Sequence, residues 1–282
     1  PATTPVLPPP GGGITWRSLH GAARPMAMAA AARERGGCTL VVTADTLATE
    51  RTEQALRFFL RDAPAVSVHA FPDWEVLPYD RFSPYQDIIS QRLACLAGLD
   101  GPETRVVVVS MATLLHRLAP PAFVRGNSFV LASGDRIDPE AFGNRLIEAG
   151  YRRVSQVMEH GDYAVRGSII DVFPMGAARP FRLDLFDDEI EGIRLFDPES
   201  QRTLEAVDDL RMLPAREFPL TDEAVAAFRR QWRQRFPASA NRSPIYTDVS
   251  NRLAPAGVEY YLPLFFDETA TLLDYLGDDA MV

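Results

Sequence analysis

The sequence predicts an α/β protein built from two kinds of domain. One is a parallel-sheet domain of the P-loop-NTPase type with a degenerate nucleotide loop; the other is an inserted antiparallel, β-rich α+β domain. Three observations carry this expectation. Residues 38–110 alternate short β-branched runs with helical stripes, as βα units do. Residues 163–213 carry strand patterns parted only by turn residues, which implies an antiparallel meander. The stretch "LHGAARPMAMAAAA" (19–32) has the outline of a phosphate loop, an apolar run, a Gly and an Ala-rich helix.

That outline lacks the loop's chemistry. Counting from Gly21, the pattern G-x-x-x-x-G-K-[ST] meets Met26 at its second Gly, Ala27 at its Lys and Met28 at its Ser/Thr. All 29 Lys+Arg positions are Arg. Neither a phosphate-loop lysine nor a Schiff-base lysine exists in this chain. The preceding "PATTPVLPPPGGG" has no basic or apolar signal-peptide region and reads as a floppy Pro/Gly-rich tail.

The elements follow in order. "CTLVVTA" (38–44), "AVSVHAF" (65–71) and "RVVVVS" (105–110) read as buried strands. Asp45 or Thr46 caps a helix with Leu47, Leu56, Phe59 and Leu60 on its apolar side. Ser83 as N-cap and Pro84 in the first turn open a helix carrying Ile88, Ile89, Leu93 and Leu96. Ser110 caps the helix "MATLLHRL". Near "LAPPAF" (118–123) the pattern changes. One helix follows, with Asp138 as cap, Pro139 first, Phe142 and Leu146 inward and Gly150 beyond its end. Strands are expected at "YAVRGSIIDVF" (163–173), "FRLDLF" (181–186), "GIRLF" (192–196) and "TLEAVDDLRML" (203–213). A last helix, capped by Thr221, buries Val225, Phe228, Trp232 and Phe236, and "DDAMV" reads as the opening of a strand. The expected domains are residues 1–121, 122–213 and 214–282.

Composition narrows the function classes. A net charge of −9 argues against general attraction to nucleic acid. No apolar run approaches the roughly 18 residues of a membrane span. Cys38 and Cys95 lack a C-x-x-C spacing or a nearby His and read as reduced core thiols. His20, His69, His116 and His160 are scattered and read as structural or surface residues. No cofactor or metal is expected. Asp187, Asp188 and Glu189 imitate the acids of a Walker B strand, but the strand before them alternates and is not continuously apolar. They read as a solvated turn.

That same alternation yields a candidate surface. If Phe181, Leu183 and Leu185 face the core, then Arg182, Asp184 and Phe186 line the opposite face, within reach of Arg166 on the preceding strand. Arg and aromatic residues are enriched at interface hot spots. Two readings of Phe186 stay open here, a side chain under a loop or one at a docking face.

The stretches "GYRRVSQVMEHGDYAVRGSIIDVFPMGAARPFRLDLFDDEIEGIRLFDPESQRT", "FPDWEVLPYDRFSPYQDIISQRL" and "AGVEYYLPLFFDE" resemble the bacterial transcription-repair coupling factors (Mfd). That family's N-terminal module is similar to domains 1A, 2 and 1B of the excision-repair protein UvrB. The resemblance implies a UvrB-like fold, a cytoplasmic bacterial protein and a non-catalytic role in recruiting the damage sensor UvrA through the second domain. It assigns the contact to Arg166, Arg182, Asp184 and Phe186; where UvrB-type sequences carry a further Arg, this chain has Ala164. It also implies that RNA polymerase, DNA and the translocating ATPase belong to regions further along a longer chain, and that a C-terminal domain masks the UvrA face. The competing reading is a UvrB-like ATPase or DNA-damage clamp. The eroded loop, and "LPYDRFSPYQD" in place of a long clamping hairpin, count against it.

Overall fold

A computed structural model describes residues 6–9, 11–78, 80–99, 101, 103–238, 242–277 and 279–282. In chain order the elements begin with α1 (Ala23–Arg35), β1 (Cys38–Thr43), α2 (Thr46–Leu60), β2 (Val66–Phe71), α3 (Gln86–Gly98) and β3 (Thr104–Ser110). Next come α4 (Met111–Leu114), α5 (Pro121–Gly126), β4 (Phe129–Ala132), α6 (Pro139–Glu148), β5 (Arg152–Arg153), β6 (Asp162–Arg166) and β7 (Ile169–Val172). They end with β8 (Phe181–Phe186), β9 (Glu189–Phe196), β10 (Thr203–Val207), β11 (Asp209–Met212), α7 (Asp222–Arg235) and α8 (Pro244–Ser250). Short 3-10 helices occupy Val258–Leu264 and Leu272–Tyr275. The chain divides into two compact units, residues 1–73, 98–116 and 271–282 in one, 74–97 and 117–270 in the other.

The first unit is the parallel sheet. Its order is β1-β3-β2, with both pairings parallel. Val41, Val68, Val106 and Val108 meet Ala29 and Ala32 of α1 and Leu56 and Leu60 of α2 in one core. Asp45 takes the capping role on α2, accepting from the Ala48 N–H at 2.8 Å; Ser110 caps α4 through the Thr113 N–H at 3.2 Å. Leu47 corrects the expected apolar side, because it is exposed. It lies nine residues before Leu56, which is two and a half helical turns and so the opposite face. The helix expected from "MATLLHRL" stops at Leu114. Met281 adds an isolated parallel bridge to Thr39 at the β1 edge, so the strand read at "DDAMV" is one bridge among the described residues. Residues 1–5 and 10 of the Pro-rich start and Asp278 of that terminal stretch lie outside the described residues.

The second unit holds the antiparallel sheet, six strands in the order β10-β9-β8-β7-β6-β5, with only the short β5–β6 pair parallel. Here "YAVRGSIIDVF" is not one strand. It folds at Gly167 and Ser168 into the β6–β7 hairpin, pairing Arg166 with Ile169. Gly167 takes φ +61 in the turn, a conformation open to Gly. "TLEAVDDLRML" also divides, since β10 pairs with β9 while β11 pairs with β4, a strand the sequence pattern does not announce. Asp138 caps α6 as expected, and Phe142 and Leu146 are buried. Ser83 is not a cap. Its hydroxyl donates to Glu259 at 3.1 Å and accepts from the Gly257 N–H at 3.2 Å, and α3 begins three residues later. Phe236 sits at the C-cap of α7, leaves the buried stripe and is exposed.

Residues 74–97 are fixed within this unit by buried charge. Arg92 is fully buried and meets Glu217 at 2.9 Å. Glu217 also accepts from the Trp74 indole N–H at 2.6 Å, and the Arg92 guanidinium lies over the Trp74 ring at 4.8 Å. Each group answers the polar needs of another, which is the condition under which a buried pair is tolerated.

Candidate functional site

The candidate surface is one face of the antiparallel sheet. Strand alternation places Leu183 and Leu185 of β8, Ile170 and Val172 of β7, Tyr163 of β6 and Ile193 of β9 on the buried side. The opposite side collects Ala164 and Arg166, Ile169 and Asp171, Arg182, Asp184 and Phe186, and Arg194, because residues directly paired across strands share a face. The two-residue β6–β7 turn is therefore decisive. It pairs Arg166 with Ile169 and Ala164 with Asp171, and the β7–β8 register then brings Asp171 opposite Arg182 and completes the row Arg166–Ile169–Asp184.

This face grades from covered to open. At one end Ala164, Phe173 and Phe196 are sealed beneath Val154 and Val157. Asp171 comes next and is fully buried. Its Oδ1 accepts from Arg182 Nε at 2.7 Å and its Oδ2 from Arg182 Nη2 at 3.0 Å, a fork on one carboxylate. Arg166 Nη2 donates to the same Oδ2. The remaining Arg182 nitrogen, Nη1, donates to the Thr203 hydroxyl at 3.2 Å, and the guanidinium lies over the Phe196 ring at 4.8 Å. The hydrogen bonds to Asp171 push the Arg182 pKa further up. At the open end, Asp184 pairs with Arg194 at 2.8 Å and Phe186 stands 71% exposed.

All four residues picked out by alternation and resemblance share this face, though not in one state. Phe186 is not packed under a loop. The Arg166 side chain is 48% exposed and the Arg182 side chain 16%. Arg182 is thus largely tucked in, and Arg166 and Phe186 carry most of the open surface. Asp171 and Arg194 were not read from the sequence. A Gly-Ser dipeptide between two β-branched runs is a hairpin signal, and taking it would have placed Asp171 on the Arg166 face opposite Ala164, though not beside Arg182, which needs the β7–β8 register. Ala164 is 1% exposed in the sealed cluster, so an arginine there would have to open it.

Of the acids of the imitation Walker B stretch, Asp187 and Asp188 form the β8–β9 turn and Glu189 opens β9. Asp187 adopts φ +55, and exposed Arg136 pairs with Asp188 at 3.5 Å and Glu189 at 3.8 Å. Among the described residues no group of three His, Cys, Asp or Glu side chains is placed to hold a metal. Cys95 is buried, Cys38 half-buried, and both are free thiols. No helix of the described residues is long and apolar enough to cross a membrane.

The phosphate-loop outline does not survive intact. Gly21 takes φ +55 and α1 begins at Ala23, but residues 12–20 form no strand to lead into it. Ala22 caps α1 without a side-chain hydrogen bond. Met28 packs on the core with Ala29 and Ala32, Met26 is exposed and Ala27 half-buried. Met28, Ala29 and Ala32 thus serve a helix–sheet contact. Residues 72–85, where a clamping hairpin would lie, contain no strand among the described residues; Tyr79 of "LPYDRFSPYQD" lies outside them.

Comparison with known proteins bears on this face directly. The UvrB interaction domain family matches residues 129–218, which include every strand from β4 to β11. The chain is 43% identical over 258 residues to the transcription-repair-coupling factor of Haemophilus influenzae, covering 91% of this chain and 22% of that protein. It is 50% identical over 196 residues to that of Escherichia coli, covering 70% and 17%. The chain is a homologue of one segment of the transcription-repair-coupling factors. A more distant member, from Myxococcus xanthus, is 33% identical over 278 residues, 94% of this chain and 23% of that protein. The chain spans about a fifth of the length of the curated relatives it matches.

Proposed function

We propose that this chain is a non-catalytic adaptor module of transcription-coupled repair that recruits UvrA through Arg166, Arg182, Asp184 and Phe186. The observation that carries the reading is Phe186. A phenylalanine 71% exposed on the same sheet face as Arg166 and Arg182, inside the stretch matched by the UvrB interaction domain, is what a docking face presents. In this reading residues 122–213 form the UvrA-binding domain between a degenerate nucleotide-binding domain (1–121) and its companion (214–282). RNA polymerase and DNA are engaged by other parts of the longer protein, a C-terminal domain of which masks the face, in a cytoplasmic setting.

The reading is tested by co-purification with UvrA. Wild-type chain retains UvrA, and the chain carrying Arg182→Ala with Phe186→Ala does not. Intact binding by that double variant rejects the assignment.

A further inference from the structure

Asp171 sits at the centre of the arginine face and cannot itself be touched by a partner, since it is fully buried. We infer that Asp171 is a positioning residue of the docking face: it holds Arg166 and Arg182 in the orientation in which they meet the partner. This rests on the reading of the face as a UvrA-docking surface.

An exposed arginine carries rotamer freedom that must be surrendered when it docks, and ordering it beforehand lowers that loss. Asp171 supplies the ordering from the middle strand. Its two oxygens receive the Arg182 fork at 2.7 and 3.0 Å and, on Oδ2, the Arg166 guanidinium from the other side. Thr203 and the Phe196 ring complete the seat of Arg182. Arg166, by contrast, is anchored on Asp171 and has half of its side chain in solvent. The orientation of the more exposed arginine therefore depends most on the buried acid.

The charge balance points the same way. On strands β6 to β9, Arg166, Arg182 and Arg194 give three positive charges, and Asp171, Asp184 and Glu189, the partner of Phe186, three negative ones, a net of zero. A face so balanced in charge recognises through placed N–H donors and the Phe186 ring more than through bulk attraction. The partner chemistry that fits is a carboxylate beside an apolar recess.

The test is a mutant cycle against purified UvrA, with circular dichroism confirming that each variant is folded. Asp171→Asn is expected to weaken binding by about tenfold or more, a difference of about 1.4 kcal/mol. Combined with Phe186→Ala it causes the same further loss, because Asp171 does not act through the ring. Combined with Arg166→Ala the further loss shrinks. No loss in the wild-type background, or a loss in the Arg166→Ala background as large as in wild type, overturns the inference. A second measurement needs no variant: NMR of the arginine Nε–Hε groups in the free chain. Arg166 and Arg182 are expected to be rigid, with order parameters approaching about 0.85, and exposed Arg61 to fall below about 0.6. If Arg166 and Arg182 are as mobile as Arg61, Asp171 orders nothing and the inference fails. If they are rigid but the wild-type chain does not bind UvrA, the docking assignment falls instead.

Discussion

Two stretches of this chain imitate molecular machinery in sequence, residues 19–35 and residues 163–196, and they differ in what they bury. The first buries Ala29, Ala31 and Ala32. The second buries a carboxylate, Asp171, and closes two arginines on it. Alanine in a helix–sheet contact needs only complementary shape. An unpaired buried carboxylate costs several kcal/mol, so a fold retains one only where donors are placed to meet it. The first stretch keeps an outline of a site while its side chains do packing. The second keeps few recognisable motif residues but invests polar groups in one arrangement.

The comparison can be broken at several points. The largest expected effect is Asp171→Ala, which leaves Arg182 without its counter-charge and is expected to destabilise the chain by about 3–5 kcal/mol in urea unfolding. Leu56→Ala under α1 and β3 should cost about 3 kcal/mol through cavity formation alone, with no effect on UvrA binding. Equal effects of the two on UvrA affinity, once stability is matched, would erase the distinction between packing and positioning.

Phe186→Ala is expected to reverse that pattern. Its ring is mostly in solvent, so stability should move by less than about 0.5 kcal/mol, while UvrA affinity falls by on the order of 2 kcal/mol in calorimetric titration. A smaller effect belongs to His69 on β2, whose pKa is lowered by burial first and then by Arg57 and Arg105. Below the ordinary value of 6.5 the unfolded chain takes up a proton that folded His69 resists. The unfolded state then binds more protons, so stability is lost as pH falls through 6.5. The melting temperature should drop less with acid in His69→Gln than in wild type. The smallest expected effect is none. Writing the missing loop residues into α1, as Met26→Gly, Ala27→Lys and Met28→Thr, is expected to confer no ATP binding in a titration, because residues 12–20 provide no strand to aim the loop.

Local chemistry was legible from the chain alone. Ser110, Asp138 and Thr221 cap their helices as read, and Asp45 rather than Thr46 takes the cap of α2, since a cap depends on a side chain and an N–H three residues away. The alternation of "FRLDLF" sorted Leu183 and Leu185 from Arg182, Asp184 and Phe186, because a strand's two faces are written with period two. The absence of lysine left no residue to serve as a phosphate-loop lysine. Ser83 went the other way, its hydroxyl claimed by Glu259 and the Gly257 N–H from far along the chain.

Tertiary structure decided the rest, and for one reason: which residue stands beside which across strands depends on turns and registers that no single segment contains. The two-residue turn at Gly167 and Ser168, together with the β7–β8 register, put Asp171 between Arg166 and Arg182. Pairing with β9 brought Arg194 to Asp184, and pairing with β4 drew β11 into a separate sheet. The sequence determined which residues share the face. Only the fold determined that Arg182 is tucked against a buried acid while Phe186 stands in solvent, because burial is set by the neighbours that long-range pairing supplies.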